Sequence, residues 1–186
     1  MSMVRPAVFL DRDGVINKSV VQRGIPHPPA TLGEFELLEG VTEAVERIRR
    51  AGYAVVVVTN QPDVARGVQT QAVVEAMHDV VREATAPDAI MVCYHDDADG
   101  CQCRKPAPGM LHQAARDLGL NLTGSFMVGD RWRDIEAGRR AGCRTVYVDS
   151  GYAERQPDEP DAVVTDLPEA VTWILATTPH KEAESA

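Results

Sequence analysis

Residues 7–14 have the sequence AVFLDRDG. Four apolar residues followed at once by acidic residues are typical of a buried parallel strand that ends at a polar turn. Gly14 supplies backbone freedom where the chain leaves the predicted strand. Taken alone, the two carboxylates of Asp11 and Asp13 fit either an ordinary solvated turn or a chemical site, so the surrounding pattern has to distinguish the two.

Strand-like and helical segments alternate along the rest of the chain. Further apolar runs lie at residues 53–59, 89–94, 125–129, 145–149 and 162–165, and helical spacing lies at residues 41–51, 70–84, 109–118, 133–141 and 168–175. This alternation predicts an α/β fold, a doubly wound, Rossmann-like parallel sheet of five to six strands. We expect one domain over residues 1–176 and a flexible tail over residues 177–186. Ligands of such sheets bind at the carboxyl ends of the strands.

The length and net charge of the chain limit the kinds of molecule that it is expected to bind. A chain of 186 residues suits one domain with its own core. The net charge of -9 and the pI near 5.0 disfavour a nucleic-acid groove, which is normally basic. The first apolar run is too short for a signal peptide or a membrane span. We therefore expect a cytoplasmic monomer that acts on a small molecule, without a nucleic-acid or membrane partner.

Further polar side chains follow the predicted strands. Thr59 and Asn60 come after the second strand, where a hydroxyl and backbone N–H groups can hold a phosphate oxygen. Arg104 and Lys105 precede Pro106, and such cations can neutralise a phosphoryl group. Each pair also has an ordinary interpretation. Thr59 and Asn60 could form a simple turn, and Arg104 and Lys105 could lie on a solvated basic surface.

The fourth strand is followed by a second group of charged residues. Asp130 and Asp134 offer hard oxygen ligands that suit Mg²⁺. Asp130 could instead cap the next helix. Arg131 could contact a second phosphate of a substrate or remain a solvated arginine at the helix start.

One compact loop carries metal-ligand chemistry. Three thiols and one imidazole within eleven residues can complete a tetrahedral zinc site, with no position left for water. Such a site is structural and would order the loop next to Arg104 and Lys105. Scattered free cysteines are the alternative, and Cys143 fits a small buried apolar residue. The four candidate ligands in the loop of residues 93–103 are Cys93, His95, Cys101 and Cys103.

The order of these motifs resembles the haloacid dehalogenase (HAD) superfamily. The motifs are Asp-x-Asp-Gly, strand-Thr-Asn, Lys-Pro and strand-Gly-Asp-x-x-x-Asp, spread over residues 7–148. The cysteine loop, with Arg-Lys-Pro-x-Pro-Gly-Met after it, narrows the resemblance to a group of uncapped, zinc-looped phosphatases. That group contains D-glycero-D-manno-heptose 1,7-bisphosphate 7-phosphatases and histidinol-phosphatases.

The resemblance implies a role for each motif. Asp11 would be the nucleophile, and Asp13 would protonate the leaving group and then activate water. Mg²⁺ would bind Asp11, the Asp13 carbonyl and Asp130, with Asp134 beside these ligands. In the same scheme, the groups that stabilise charge on the phosphate oxygens are Thr59 and Lys105, and the substrate-binding candidates are Asn60, Arg104 and Arg131.

The reaction type follows from Asp13 and from the size of the chain. A phosphate ester needs a proton donor, which a dehalogenase lacks at that position. A phosphomutase usually carries a large cap domain, for which this chain has no room. The resemblance implies removal of the C7 phosphate of a small phosphorylated sugar, heptose 1,7-bisphosphate. Hydrolysis of histidinol phosphate and a catalytically silent phosphometabolite-binding module are the alternatives. The group commonly has Ser-Gly-Ile after Thr-Asn-Gln, whereas this chain has Pro-Asp-Val, and the unusual Asp63 slightly favours a cationic ligand.

Overall fold

The computed structural model describes residues 4–178. Within them the strands are β1 (Ala7–Leu10), β2 (Val20–Gln22), β3 (Ile25–His27), β4 (Ala54–Asn60), β5 (Ala89–Cys93), β6 (Phe126–Gly129), β7 (Arg144–Val148) and β8 (Ala162–Val164). The α-helices are α1 (Val41–Arg50), α2 (Gln71–Thr85), α3 (Gly109–Leu118), α4 (Trp132–Ala141) and α5 (Leu167–Thr177).

Six of the strands form one parallel sheet in the order β5-β4-β1-β6-β7-β8. The predicted doubly wound α/β fold is therefore confirmed, with the larger of the two predicted strand numbers. β1 lies between β4 and β6, so the polar residues that follow these three strands meet at one edge of the sheet. Every residue of β1 is fully buried, which explains its unbroken apolar sequence.

The helices cover both faces of the sheet. Successive strand residues face opposite sides, so Val8 and Leu10 join one core cluster whereas Ala7 and Phe9 join the other. The first cluster includes side chains of α1, α2 and α5, and the second includes side chains of α3 and α4. In α1 the buried residues have the spacing of one helix face: they are Val41, Ala44, Val45 and Ile48.

A small antiparallel hairpin of β2 and β3 was not predicted from the sequence. Its strands have only three residues each, and most of their side chains are exposed, so no apolar alternation marks them. Pro26 lies in β3 and cannot donate a backbone hydrogen bond, which further obscures the pattern. Apart from this hairpin and a short 3-10 turn, the chain between β1 and β4 forms α1, which fits the expectation of no large cap.

The C-terminal boundary differs slightly from the prediction. The tail was expected to begin at residue 177, but α5 continues through Thr177, whose hydroxyl donates to the carbonyls of Trp173 and Ile174. Residues 179–186 of the predicted tail lie outside the described residues. Within residues 4–178, no helix combines the length and apolar character that a membrane crossing requires.

Candidate active site

Asp11 and Lys105 form the centre of the site at the edge of the sheet. Asp11 follows β1 directly, and its Oδ1 accepts hydrogen bonds from the Arg12 backbone N–H at 2.7 Å and from Lys105 Nζ at 2.8 Å. Lys105 Nζ also contacts Asp134 Oδ1 at 2.7 Å and donates to the Val58 carbonyl at 2.8 Å. The ammonium group thus contacts the residue after β1, a carbonyl of β4 and a carboxylate of α4.

Burial and charge shift the protonation equilibria of this pair. Burial raises the pKa of Asp11 to about 7, the Asp134 charge acts in the same direction, and Lys105 opposes both. Burial alone would lower the pKa of Lys105, but the Asp11 and Asp134 carboxylates outweigh it and hold the pKa above its ordinary value. Lys105 therefore remains a fixed cation, while Asp11 needs further positive charge to stay ionised at neutral pH.

Asp130 has the properties of a metal ligand. Its side chain is fully buried, and no hydrogen bond of normal geometry reaches either carboxylate oxygen within the described residues. The Tyr152 hydroxyl lies nearby, and burial and the Asp130 charge raise the pKa of Tyr152 to about 12. Burial, followed by the charges of Asp11 and Asp134, raises the pKa of Asp130 well above its ordinary value.

Three buried carboxylates lie close together at this edge of the sheet. Oxygen atoms of Asp11, Asp130 and Asp134 lie within 4.8 Å of one another. Buried, closely spaced carboxylates repel each other unless a cation compensates them, and oxygen ligands suit Mg²⁺. Gly14 makes room for this arrangement, because a Cβ atom there would stand 1.7 Å from Asp130 Oδ2. The donor set therefore fits a hard divalent cation.

Asp134 has a different environment from Asp130. Its Oδ1 contacts Lys105, and its Oδ2 accepts a hydrogen bond from the Arg131 backbone N–H at 2.9 Å. Arg131 is the N-cap of α4, so Asp134 also caps this helix. The alternative that Asp130 caps the helix is wrong. With both oxygens already occupied, Asp134 is better placed to orient Lys105 than to bind the cation directly.

The Asp13 carboxylate is surrounded by donors. Its Oδ1 accepts from Arg12 Nη2 at 3.0 Å and from Asn17 Nδ2 at 2.9 Å. Its Oδ2 accepts from Gln61 Nε2 at 2.8 Å and from Arg12 Nη2 at 3.1 Å. No role was predicted for Arg12, Asn17 or Gln61, although they lie within or next to the Asp-x-Asp-Gly and Thr-Asn motifs, which was a usable signal.

Thr59 and Asn60 act through neighbouring residues in this structure. Thr59 is fully buried, does not line the cavity, and its hydroxyl accepts from Gln61 Nε2 at 2.9 Å. Asn60 lines the cavity and brackets Lys105: its Nδ2 donates to the Lys105 carbonyl at 3.0 Å, and its Oδ1 accepts from the Lys105 backbone N–H at 3.1 Å. Asn60 therefore fixes the main chain that carries the lysine.

A cavity of about 280 Å³ opens above these groups. Its floor contains the predicted site residues Asp11, Asp13, Lys105, Asp130 and Asp134. Outside that floor, the charged residues that line it are four arginines and two aspartates: Arg66, Arg104, Arg131, Arg133, Asp63 and Asp97. Four guanidinium groups therefore line the rim.

The rim arginines are held by carboxylates. Asp97 Oδ1 accepts from Arg104 Nε at 2.8 Å and from Arg133 Nη1 at 3.0 Å, so one carboxylate positions two guanidinium groups. Arg131 pairs with Glu154 through two contacts, at 3.0 and 2.6 Å. Arg133 was missed in the sequence, because nothing local distinguishes it from a solvated helix residue.

The unusual Asp63 is paired as well. Its Oδ1 lies 3.3 Å from Arg66 Nη1, and Arg66 also contacts Asp96. The carboxylate is therefore compensated on its own side of the cavity. This pairing removes the argument that Asp63 favours a cationic ligand.

The cysteine loop brings its four candidate ligands together. Cys103 Sγ lies 2.9 Å from Cys93 Sγ and 3.4 Å from Cys101 Sγ. His95 Nδ1 lies 3.3 Å from Cys103 Sγ and 3.6 Å from Cys93 Sγ. Three sulfurs and one imidazole nitrogen converging in this way fit a closed tetrahedral zinc site. Cys143 is buried elsewhere, in the core below α4.

Comparisons with known proteins agree with the motifs. A HAD-hydrolase-like family model matches residues 102–170. The D-glycero-beta-D-manno-heptose-1,7-bisphosphate 7-phosphatase of Pseudomonas aeruginosa PAO1 is 40% identical over 163 residues, which cover 85% of this chain and 89% of that protein. The enzyme of the same name from Escherichia coli K12 is 36% identical over 184 residues, which cover 89% of this chain and 93% of that protein.

A solved structure is similar over almost the whole chain. It is D,D-heptose 1,7-bisphosphate phosphatase from Bordetella bronchiseptica in complex with magnesium and phosphate. The two structures have a TM-score of 0.81 and 34% sequence identity, with 93% of this chain and 99% of that chain covered.

The protonation of Asp11 predicts how Mg²⁺ binding depends on pH. The folded-state pKa of about 7 exceeds the ordinary value of 3.8, so the metal-free folded chain binds an additional proton between these values. Its stability should fall as the pH rises through that window. Mg²⁺ requires the ionised carboxylates and competes with the proton, so we expect its apparent affinity to be about tenfold higher at pH 8 than at pH 6.

Thermal unfolding with and without Mg²⁺ measures this difference. The increase in Tm caused by Mg²⁺ should be larger at pH 8 than at pH 6. Asp130→Asn is the matched control, because it keeps the side-chain shape and removes one charged ligand, and it should lose most of the Mg²⁺ response. An equal increase at the two pH values in the unaltered chain would contradict the assignment.

The cysteine loop predicts bound zinc. Protein purified under reducing, metal-replete conditions should contain about one zinc ion per chain by elemental analysis. Cys101→Ala should remove most of it and lower Tm, because the loop loses its cross-link. Cys143→Ala lies outside the cluster and should keep the zinc. Retention of zinc by Cys101→Ala would argue against the four-ligand site.

Proposed function

The chain belongs to the heptose-1,7-bisphosphate 7-phosphatase family of HAD hydrolases, and we propose that it hydrolyses the C7 phosphate of D-glycero-D-manno-heptose 1,7-bisphosphate through an aspartyl-phosphate intermediate. HAD phosphatases use Mg²⁺. We propose that Asp11, the Asp13 carbonyl and Asp130 hold this ion here, where it would offset the negative charges of phosphate and carboxylates. We also propose a structural zinc ion in the cysteine loop, and a cytoplasmic monomer of one domain.

In the first step, Asp11 attacks phosphorus. The two donors that reach its carboxylate contact Oδ1, so we assign Oδ2 to the attack. The bond from Oδ2 to phosphorus forms while the bond from phosphorus to the C7 oxygen breaks. Asp13 gives its proton to that leaving oxygen, because an alkoxide is a poor leaving group. The buried Lys105 ammonium, 2.8 Å from Asp11, stabilises the negative charge that develops.

In the second step, water releases the phosphate. Asp13, now ionised, accepts a proton from water as the water oxygen attacks phosphorus, and the Asp11 carboxylate leaves. Arg12, Asn17 and Gln61 hold Asp13 in the cavity throughout. The same residue therefore serves as acid and then as base.

The arginines at the rim of the cavity are the observation that supports the choice of substrate. A bisphosphate has a second anionic group beyond the phosphate that reacts, and guanidinium groups bind such anions well. Arg104 and Arg133, both held by Asp97, face the same cavity as Arg131. Histidinol phosphate would instead place a cationic amine near these guanidinium groups, and like charges repel each other.

Phosphate release from a panel of substrates tests the proposal. With Mg²⁺ present, kcat/KM for heptose 1,7-bisphosphate should exceed that for histidinol phosphate and for an aryl phosphate by at least about tenfold, or about 1.4 kcal/mol of transition-state binding. Both C1 anomers should be included. Asp11→Asn should lower kcat at least about a thousandfold without unfolding the chain.

The other results of the panel have definite meanings. Fastest turnover of histidinol phosphate would overturn the substrate and keep the phosphatase. No turnover of any phosphate ester by the folded, metal-loaded protein would support the binding-module alternative.

The arginines at the rim lead to a separate prediction about substrate binding. Arg133→Gln removes a charge that faces the cavity, so KM for the bisphosphate should rise by about tenfold, while kcat/KM for an aryl phosphate stays within about twofold. Arg139→Gln is the matched control on the same helix, because Arg139 pairs with Glu136 on the surface, and it should change neither value. Equal losses on both substrates in Arg133→Gln would contradict a role in binding the second phosphate.

A further inference from the structure

His78 is a buried polar residue to which the reaction above assigns no role. It lies on α2, and its side chain is fully shielded from solvent. A buried imidazole needs hydrogen-bond partners. Those partners are Arg12, 3.2 Å from Nε2, and Glu75, 3.4 Å from Nδ1.

Arg12 links this histidine to the acid and base of the reaction. Its guanidinium group is completely buried and contacts Asp13 through Nε at 3.3 Å and through Nη2 at 3.0 and 3.1 Å. Its Nη1 points to His78, and its guanidinium carbon lies 5.7 Å from the centre of the Phe35 ring. One planar group thus has Asp13 on one side and His78 on the other.

The chemistry of arginine determines the tautomer of His78. A guanidinium group has N–H donors and no acceptor, so Nε2 of His78 has to accept from Arg12. The proton of the neutral ring is then on Nδ1, where Glu75 Oε1 can accept it. Burial and the positive charge of Arg12 lower the pKa of His78 to about 4, which agrees with a neutral ring at pH 7.

Glu75 is fixed by further contacts. Its Oε1 accepts from the Tyr94 hydroxyl at 2.6 Å, and its Oε2 lies 3.3 Å from Arg82 Nη2. Tyr94 stands between Cys93 and His95 in the metal-binding loop. A continuous chain of hydrogen bonds therefore runs from that loop through Glu75, His78 and Arg12 to Asp13.

We propose that His78 is a positioning residue for Asp13: its Nε2 holds the Arg12 guanidinium in the orientation that places the Asp13 carboxylate for proton transfer. Without this acceptor, one buried N–H of Arg12 loses its partner and the guanidinium group reorients. His78 does not touch the substrate. The inference rests on the proposed function for its kinetic consequence, but the tautomer of His78 follows from the geometry alone.

Two substitutions separate positioning from packing. His78→Leu fills the site without an acceptor, whereas His78→Gln keeps a side-chain oxygen that can accept from Arg12. For a sugar phosphate, single-turnover cleavage should slow by about tenfold or more in His78→Leu and by less than about threefold in His78→Gln, since general acid catalysis contributes about 10² to 10⁴ in rate. KM should stay within about twofold in both variants.

Two substrates whose leaving groups differ in their need for a proton distinguish the loss of positioning from a general loss of structure, which would slow the cleavage of both. p-Nitrophenolate leaves without a proton, so the initial burst of p-nitrophenyl phosphate cleavage should keep its rate in a folded His78→Leu variant. Equal slowing of the burst and of sugar phosphate cleavage would overturn the proposal. The proposal would also fail if His78→Gln lost as much as His78→Leu, or if a folded His78→Leu kept the native rate.

Nitrogen NMR of the imidazole tests the geometry independently of turnover. Five histidines are present in the chain, and the signal missing from His78→Gln assigns His78. At pH 7 the ring should be neutral, with its proton on Nδ1. A proton on Nε2, or a doubly protonated ring, would overturn the proposal even if the phosphatase reaction is established. Conversely, the expected tautomer in a protein that hydrolyses no phosphate ester would support the contact and reject the proposed function.

Discussion

The Lys105 ammonium group lies between the buried carboxylates of Asp11 and Asp134, and the rest of the site depends on this contact. Three buried carboxylates meet here, with that of Asp130 as the third, and Lys105 supplies one positive charge. The remaining negative charge is unfavourable in a poorly solvated environment. A divalent cation would relieve it, and such a cation together with the lysine would attract a phosphate group to the same position.

The fold holds Lys105 in place through several elements. Asn60, at the end of β4, brackets its backbone, and the Val58 carbonyl accepts from its Nζ. Cys103 comes two residues earlier, so the cysteine loop ends next to the lysine. Capping of α4 by Asp134 orients the second carboxylate. A long, flexible side chain is thereby held in one position, as electrostatic stabilisation of phosphoryl transfer requires.

The cavity has two parts, a floor for the proposed reaction and a rim for the proposed binding of the rest of the substrate. Its floor carries the carboxylates and the lysine to which we assign the reaction and the binding of the cation. Its rim carries arginines that are held by carboxylates such as Asp97 and Glu154. This separation lets the rim bind a second anionic group without disturbing the charge balance beneath it. The chain has a strongly negative net charge, -9, and yet four arginines gather at this rim.

The sequence by itself determined the parallel sheet, the helices and the identities of the groups at the strand ends. Continuous apolar runs such as residues 7–10, alternating with helical segments, are typical of strands buried on both faces of a parallel sheet, and the carboxyl ends of parallel strands share one edge. The grouping of Asp11 and Asp130 was predictable for that reason, whereas Lys105 follows no strand directly and its place in the site was implied by the resemblance to the superfamily. The β2 and β3 hairpin was not, because its short exposed strands carry no alternating pattern.

Only the tertiary structure decided what each polar side chain contacts. Thr59 turned out to accept from Gln61 away from the cavity, and Arg131 to pair with Glu154. The contact of Arg12 with His78 joins residues separated by 66 positions. No local pattern encodes such pairs, because they arise when packing brings distant segments together and buried polar groups must then find partners. The motifs thus predicted which groups gather at the site, and the fold determined which side chains these groups contact.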